Sequence, residues 1–345
     1  MRRSPTIGRR ALLGAGLSLP TAAEAQSPWK GYYARGTRQR AVRFAADDGT
    51  MLAGTLLLPA WSELQRVPGL VLVAGSGPTD RNGNNPLVPA RIDTLRLIAE
   101  RLAEAGIGTL RYDKRGIGAS TPMPSALPDQ ESFSAWDRFV GDVRAAHAEL
   151  VRHDEIKRYA TGLLGHSEGG LLVLAAAPAI GESKPHGIVL AATPGRPYGE
   201  ILRRQLQRGA PGLVDGVERV LGAIRTSGRP PPGLPAELQP LFPAYIGPFL
   251  QGAMAFDPAP ALAANPLACL LVHGGADQQI VPMDDVQPLI DALGTRSAAG
   301  EALVAAGVSH NLKMVTGPGE AGFTGPLAPL IADKLATWLR AALGA

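Results

Sequence analysis

Cysteine is nearly absent: Cys269 stands alone in 345 residues. One thiol cannot form an internal disulfide, so an oxidising compartment poses the chain little risk, and its place in the apolar run LACLLV reads as plain core. Charged residues are only 19% and scattered, a pattern of neither a disordered chain nor a coiled coil. Aromatic residues are scarce as well, at 5%. The formal charge of +4 is concentrated in residues 1–25, where Arg2, Arg3, Arg9 and Arg10 face only Glu24, leaving +1 for the remainder. A nearly neutral body with few aromatics excludes the basic, base-stacking surface of a nucleic-acid binder. No internal repeat and no run long enough to span a bilayer is present. There is no His-Glu-x-x-His, no cysteine cluster and no Walker sequence, and RGIGAST has Gly-x-Gly without a third glycine, so neither a metal nor an organic cofactor is implied. His147 and His153, near the end of a predicted helix, are expected to face solvent.

What the chain does have begins with a targeting signal. Residues 1–25 combine a basic start, a short apolar stretch and a small-residue end, Ala23-Glu24-Ala25. Arg9-Arg10-Ala11-Leu12-Leu13 resembles a twin-arginine export signal, departing from it at Gly8 and Gly14. The expectation is cleavage after Ala25, a periplasmic or secreted product, and no stable membrane insertion once the signal is gone. With 45% hydrophobic residues, the remaining 26–345 can bury a large core.

Continuous apolar runs ending in glycines recur at 69–77, 107–116, 159–167, 187–195 and 267–275, as in strands buried on both faces of a parallel sheet. Residues 40–60 read as two antiparallel strands around Asp48-Gly49. Helical spacing fills 94–106, 134–151 (with Ser134 as N-cap), 283–294 and the end of the chain. Strand–helix alternation predicts an α/β fold: a mostly parallel, doubly wound sheet with helices on both faces. Residues 196–266 break the rhythm and read as an inserted helical cap.

The stretch GLLGHSEGG places Gly165-x-Ser167-x-Gly169 where a strand meets a helix. A serine on so sharp a turn is held in strained geometry with its hydroxyl exposed, and flanking glycines remove colliding side chains. A serine hydroxyl is a weak nucleophile and needs a base, itself oriented by an acid. In hydrolases built on this turn the chain order is serine, acid, histidine. His310, after a last strand, is the histidine in that order; His186 and His273 are not. Asp277, just after a strand, is the acid candidate, while Asp284 and Asp285 open the next helix, where acids serve the dipole.

Together GHSEGG, HGGADQQIVP and GVSHN resemble the α/β-hydrolase superfamily. RYDKRGIGAS resembles one of its loops, and VAGSGPTDRNGNN is similar to the oxyanion loop of bacterial serine esterases reading Gly-Ser-Gly-Pro-x-Asp-Arg, although Ala74 stands where many have His. The resemblance implies catalytic Ser167, Asp277 and His310, with an oxyanion hole from the backbone N–H groups of Ser76 and Glu168. The Glu168 side chain reads as incidental. Asp80 with Arg81, and Asp113 with Arg115, are expected to pair and brace their loops. The implied activity is hydrolysis of a small-molecule carboxylic ester through an acyl-enzyme. The same machinery also serves peptidases and amidases, and the fold without turnover can serve binding, although an intact nucleophile, base and acid argue against the latter. The cap carries seven arginines against five acids, with no evident ammonium site; Phe242, Tyr245, Phe249, Met254 and Phe256 either line an acyl pocket or fix the cap to the core.

Overall fold

Leu163 and Leu164 are adjacent in sequence, both fully buried, and belong to two different hydrophobic clusters. Leu70 with Val71 and Leu270 with Leu271 divide in the same way. Successive strand residues point to opposite faces, so such pairs require a sheet covered on both sides. The computed structural model, which describes residues 36–344 apart from 182 and 318, has that architecture. The predicted export segment lies outside the described residues.

Eight strands form one sheet in the order β1-β2-β4-β3-β5-β6-β7-β8. They are β1 (Thr37–Ala45), β2 (Met51–Pro59), β3 (Val67–Val73), β4 (Gly108–Tyr112), β5 (Ile156–His166), β6 (Gly187–Ala191), β7 (Ala268–Gly274) and β8 (Gly300–Ala305). β1 and β2 pair antiparallel, as the Asp48-Gly49 turn predicts, and β2 meets β4 antiparallel; β4, β3 and β5 to β8 are parallel. One face is packed by α1 (Thr94–Glu104), which buries Leu95, Ile98 and Leu102, together with the terminal helix Pro329–Leu343. The other is packed by Trp136–Arg152 and Glu168–Ala176. This is the α/β-hydrolase fold, with Cys269 buried in β7.

Four helices lie between β6 and β7: Tyr198–Gly209, Val214–Ser227, Gly247–Ala255 and Pro258–Ala264. Phe249 meets Trp136 and Phe139 at centroid distances of 5.5 and 5.3 Å, and Phe256 meets Trp136 at 5.8 Å. Among the cap aromatics, these two therefore fasten this segment to the Trp136–Arg152 helix. No helix of the described residues is long and apolar enough to cross a membrane.

Two local expectations need correction. Ser134 is not an N-cap: it ends a short helix, Leu127–Phe133, and the long helix starts at Trp136. His147 is buried, with Nε2 2.9 Å from the Thr161 hydroxyl, because it sits one helical turn from both Val143 and Leu150 on the apolar face. His153 is mostly buried too, against Glu149 and Arg40.

Candidate active site

Every sequence-predicted site residue falls at the C-terminal edge of the parallel strands, where open α/β sheets bind ligands. Ser76 follows β3, Ser167 follows β5, Asp277 follows β7 and His310 follows β8. Ser167 adopts φ 56° and ψ −125°, a conformation that turns of this kind normally give to glycine. It is among the few described non-glycine residues with positive φ. The glycines around it are there for space: a Cβ on Gly165 would run into the Gly169 carbonyl, and one on Gly169 into the carbonyls of Val73 and Ala74. Glu168 is the first residue of its helix, so its N–H has no carbonyl one turn back to bond.

His310 Nδ1 lies 2.7 Å from Asp277 Oδ2. A carboxylate can only accept, so Nδ1 carries the hydrogen and Nε2 keeps its lone pair. Asp277 is held from behind: Oδ1 accepts the backbone N–H groups of Gln279 and Ile280 at 2.8 and 2.9 Å. His273, not the base candidate, donates from Nε2 to the Ile280 carbonyl at 2.8 Å and approaches Asp277 Oδ2 at 3.2 Å. Burial alone would raise the Asp277 carboxyl; His310 and the hydrogen bonds from His273 and His310 outweigh it and hold the group well below the usual carboxylate range.

The ring of His166, the residue before the serine, lies 5.0 Å from that of His310. Its Nε2 donates to the His310 carbonyl at 2.9 Å, fixing the backbone that carries the base candidate. Burial lowers His166 to about 4, so it is neutral at pH 7.

Neither predicted bracing pair forms. Arg81 pairs with Asp113 (2.6 Å), not Asp80, and this contact ties the Ser76 loop to the loop after β4. Asp80 instead accepts the N–H groups of Asn82 and Asn84 within its own turn. Arg115 binds Asp142 at 2.6 Å and Asp48 at 2.9 Å. Asp285 is fully buried and bound by Arg208 at 2.8 Å.

Glu168 is not incidental. It is buried, 3.7 Å from the equally buried Lys114 Nζ, which donates to the Gly75 carbonyl at 2.6 Å. Tyr198 lies on the wall of the same small cavity as Ser76 and Glu168. Sequence reasoning missed Lys114 and Tyr198. The available signal was position, since each lies just beyond the C-terminal end of a parallel strand, β4 and β6.

A cavity of about 30 Å³ adjoins Ser167; Ser76 and Glu168 line it, with Tyr198, Ile201 and Leu202 from the first cap helix. This is room for one or two waters. A larger groove of about 260 Å³, at Arg66, Arg152 and Arg158, lies by the opposite end of β5 and contains none of the site candidates. No cluster of metal-ligating side chains occurs among the described residues.

A family model described as serine aminopeptidase, S33, matches residues 92–228, a span with Ser167 but without Asp277 or His310. The chain is 28% identical over 302 residues to esterase EstD of Thermotoga maritima, a match covering 84% of this chain and 65% of that protein. It thus spans slightly less than two thirds of that relative's length. Among solved structures, the esterase Pf2001 of Pyrococcus furiosus superposes with a TM-score of 0.57 at 15% identity, covering 89% of this chain and 91% of that one. Est1E of Butyrivibrio proteoclasticus, solved with ferulic acid, superposes at 0.56 with 15% identity over 88% of this chain and all of that one. The structural likenesses show the α/β-hydrolase fold.

Proposed function

We propose that the protein is a serine-dependent carboxylic-ester hydrolase. The observation that carries the reading is a serine strained at a strand–helix elbow, whose neighbour His166 contacts a histidine bonded through Nδ1 to a buried aspartate. In this mechanism Ser167 attacks the acyl carbon while His310 Nε2 takes its proton. Asp277 fixes the tautomer and stabilises the imidazolium that forms. The N–H groups of Ser76 and Glu168 bind the oxyanion, and the likeness of residues 75–81 to a Gly-Ser-Gly-Pro-x-Asp-Arg loop supports that role. His310 then returns its proton to the leaving alcohol. Water, deprotonated in turn by His310, releases the acid from the acyl-enzyme.

The family model's description favours a second reading, an aminopeptidase on the same machinery. Such an enzyme must bind a substrate ammonium. The carboxylate on the cavity wall, Glu168, already faces the buried Lys114 Nζ at 3.7 Å. On the cap side Tyr198, Ile201, Leu202 and Gln205 line the cavity and bring no acidic side chain to it, and its size favours a short acyl group. Expected is a kcat/KM for p-nitrophenyl acetate or butyrate at least about 100-fold above that for any aminoacyl p-nitroanilide, a gap of about 2.7 kcal/mol in transition-state binding. Comparable efficiency on an aminoacyl anilide would establish the peptidase reading instead.

We also propose export through residues 1–25. Replacing Arg9 and Arg10 by Lys should hold the precursor in the cytoplasm on cell fractionation. Normal delivery of that variant would assign the general secretion route.

A further inference from the structure

We propose that Lys114 is a positioning residue of the oxyanion hole, which fixes the Gly75–Ser76 peptide and through it the aim of the Ser76 N–H. The inference rests on the ester-hydrolase reading above. The Gly75 carbonyl and the Ser76 N–H belong to one planar trans peptide, so they point in opposite directions and turn together. Lys114 Nζ donates to that carbonyl at 2.6 Å. The bond holds the carbonyl toward Lys114 and so directs the N–H away from it. Among the described residues no main-chain carbonyl takes this N–H, and Ser76 lines the cavity together with Ser167. Strand register explains the reach. Leu72 of β3 stands opposite Arg111 of β4, so three residues further along each chain Gly75 comes beside Lys114. Gly75 has little room to turn otherwise: a Cβ there would sit 3.2 Å from both the His166 carbonyl and the Ser167 Cβ.

Glu168 connects the same ammonium to the second donor. Its Oε1 lies 3.7 Å from Lys114 Nζ, with both side chains buried, and its own N–H opens the helix after Ser167. One cation therefore bears on both halves of the hole, bonding the carbonyl behind one N–H and facing the carboxylate of the residue that supplies the other. Desolvation offsets most of the attraction within a buried ion pair, so fold stability alone is a poor reason to keep one there. Lys114 is not among the residues lining the cavity, so it acts through the peptide and does not touch the substrate. Lys114→Met keeps the length of the side chain and removes the donor, but leaves Glu168 as an unpaired buried carboxylate. Lys114→Met with Glu168→Gln removes both charges and retains the N–H of residue 168.

The test compares the parent with Lys114→Met, Glu168→Gln and the double variant on p-nitrophenyl acetate. Thermal unfolding and the inhibition constant of butylboronic acid, which forms a tetrahedral adduct on serine nucleophiles, are measured alongside. Losing a hole donor outright costs about 100- to 1,000-fold in kcat, and loosening one through its support costs less. Lys114→Met and the double variant are both expected to lower kcat by about 10- to 100-fold with KM within about threefold, and to weaken the boronate by a similar factor. The double variant should unfold at a higher temperature than Lys114→Met, because no buried charge is left unpaired, and yet be no faster. Glu168→Gln alone keeps the lysine donor on Gly75 and should retain at least about fivefold more of the parent kcat than the double variant. A double variant that regains the parent kcat would reduce the pair to charge balance. Equal losses in Glu168→Gln and the double variant would place the effect on Glu168. Either result, or a rise in KM alone, would overturn this inference while leaving the esterase reading in place. A parent without ester turnover would sink both.

Discussion

Ser167→Ala is expected to lower kcat on a short acyl ester by about five to six orders of magnitude, the scale seen when a triad serine is removed elsewhere. The residue has no packing role that would confound the result, since its side chain is small and sits on a turn. Its cost to the fold is conformational: φ 56° with a Cβ is strained, by about 1–3 kcal/mol at sites of this kind. A second variant separates catalysis from architecture. Ser167→Gly should be as inactive as Ser167→Ala yet unfold at a higher urea midpoint, because glycine adopts this backbone without strain. A glycine variant less stable than the parent would mean that Ser167 is held there for structure. Retention of more than about 1% activity in Ser167→Ala would remove it from the mechanism.

The second large effect is at Asp277. Asp277→Asn should lower kcat by about 10,000-fold, by analogy with the handicap measured for the corresponding change in serine proteases. The geometry here dictates why. Oδ1 accepts from the N–H groups of Gln279 and Ile280, so an asparagine must keep its carbonyl oxygen on that side. Its NH₂ group is then turned toward His310 Nδ1, where a donor already stands. The imidazole must move its hydrogen to Nε2, and it can no longer accept the serine proton. In the parent the carboxyl is held well below its usual range, so it stays ionised from mildly acidic to neutral pH. Sign and window follow by linkage: a depressed folded-state pKa stabilises the protein above about pH 4, and that stability is lost as pH falls through the lower folded value. Asn substitution should abolish this contribution. Asp284→Asn is the control; its side chain is exposed and the change should be mild. The opposite ranking of the two variants in kcat would reassign the acid.

Adjacent apolar pairs such as Leu163-Leu164 made the buried parallel sheet legible, and the Gly-x-Ser-x-Gly turn was legible because sterics leave so few residues able to occupy it. Asp277 and His310 could be picked out because chain order restricts where an acid and base can follow. What escaped the sequence were pairings between loops. Arg81 reaches Asp113, 32 positions on, instead of its neighbour Asp80, because the two loops lie side by side only once β3 and β4 are paired. Arg115 reaches across to Asp48 and Asp142 for the same reason. Tyr198 was hidden in another way: it opens a segment with no strand periodicity, and Ser76 and Glu168, with which it shares a cavity wall, lie far from it along the chain. His147 was misjudged although its signal was present, since its spacing from Val143 and Leu150 marked the buried face.

The central claim is that one serine becomes acylated. Incubating the purified mature protein with a fluorophosphonate probe and mapping the adduct by tandem mass spectrometry tests it most directly. The account predicts a single stoichiometric modification on Ser167, with ester turnover lost in step with labelling and no modification in Ser167→Ala. An adduct on another serine, or full ester turnover in protein that the probe leaves unmodified, would contradict it.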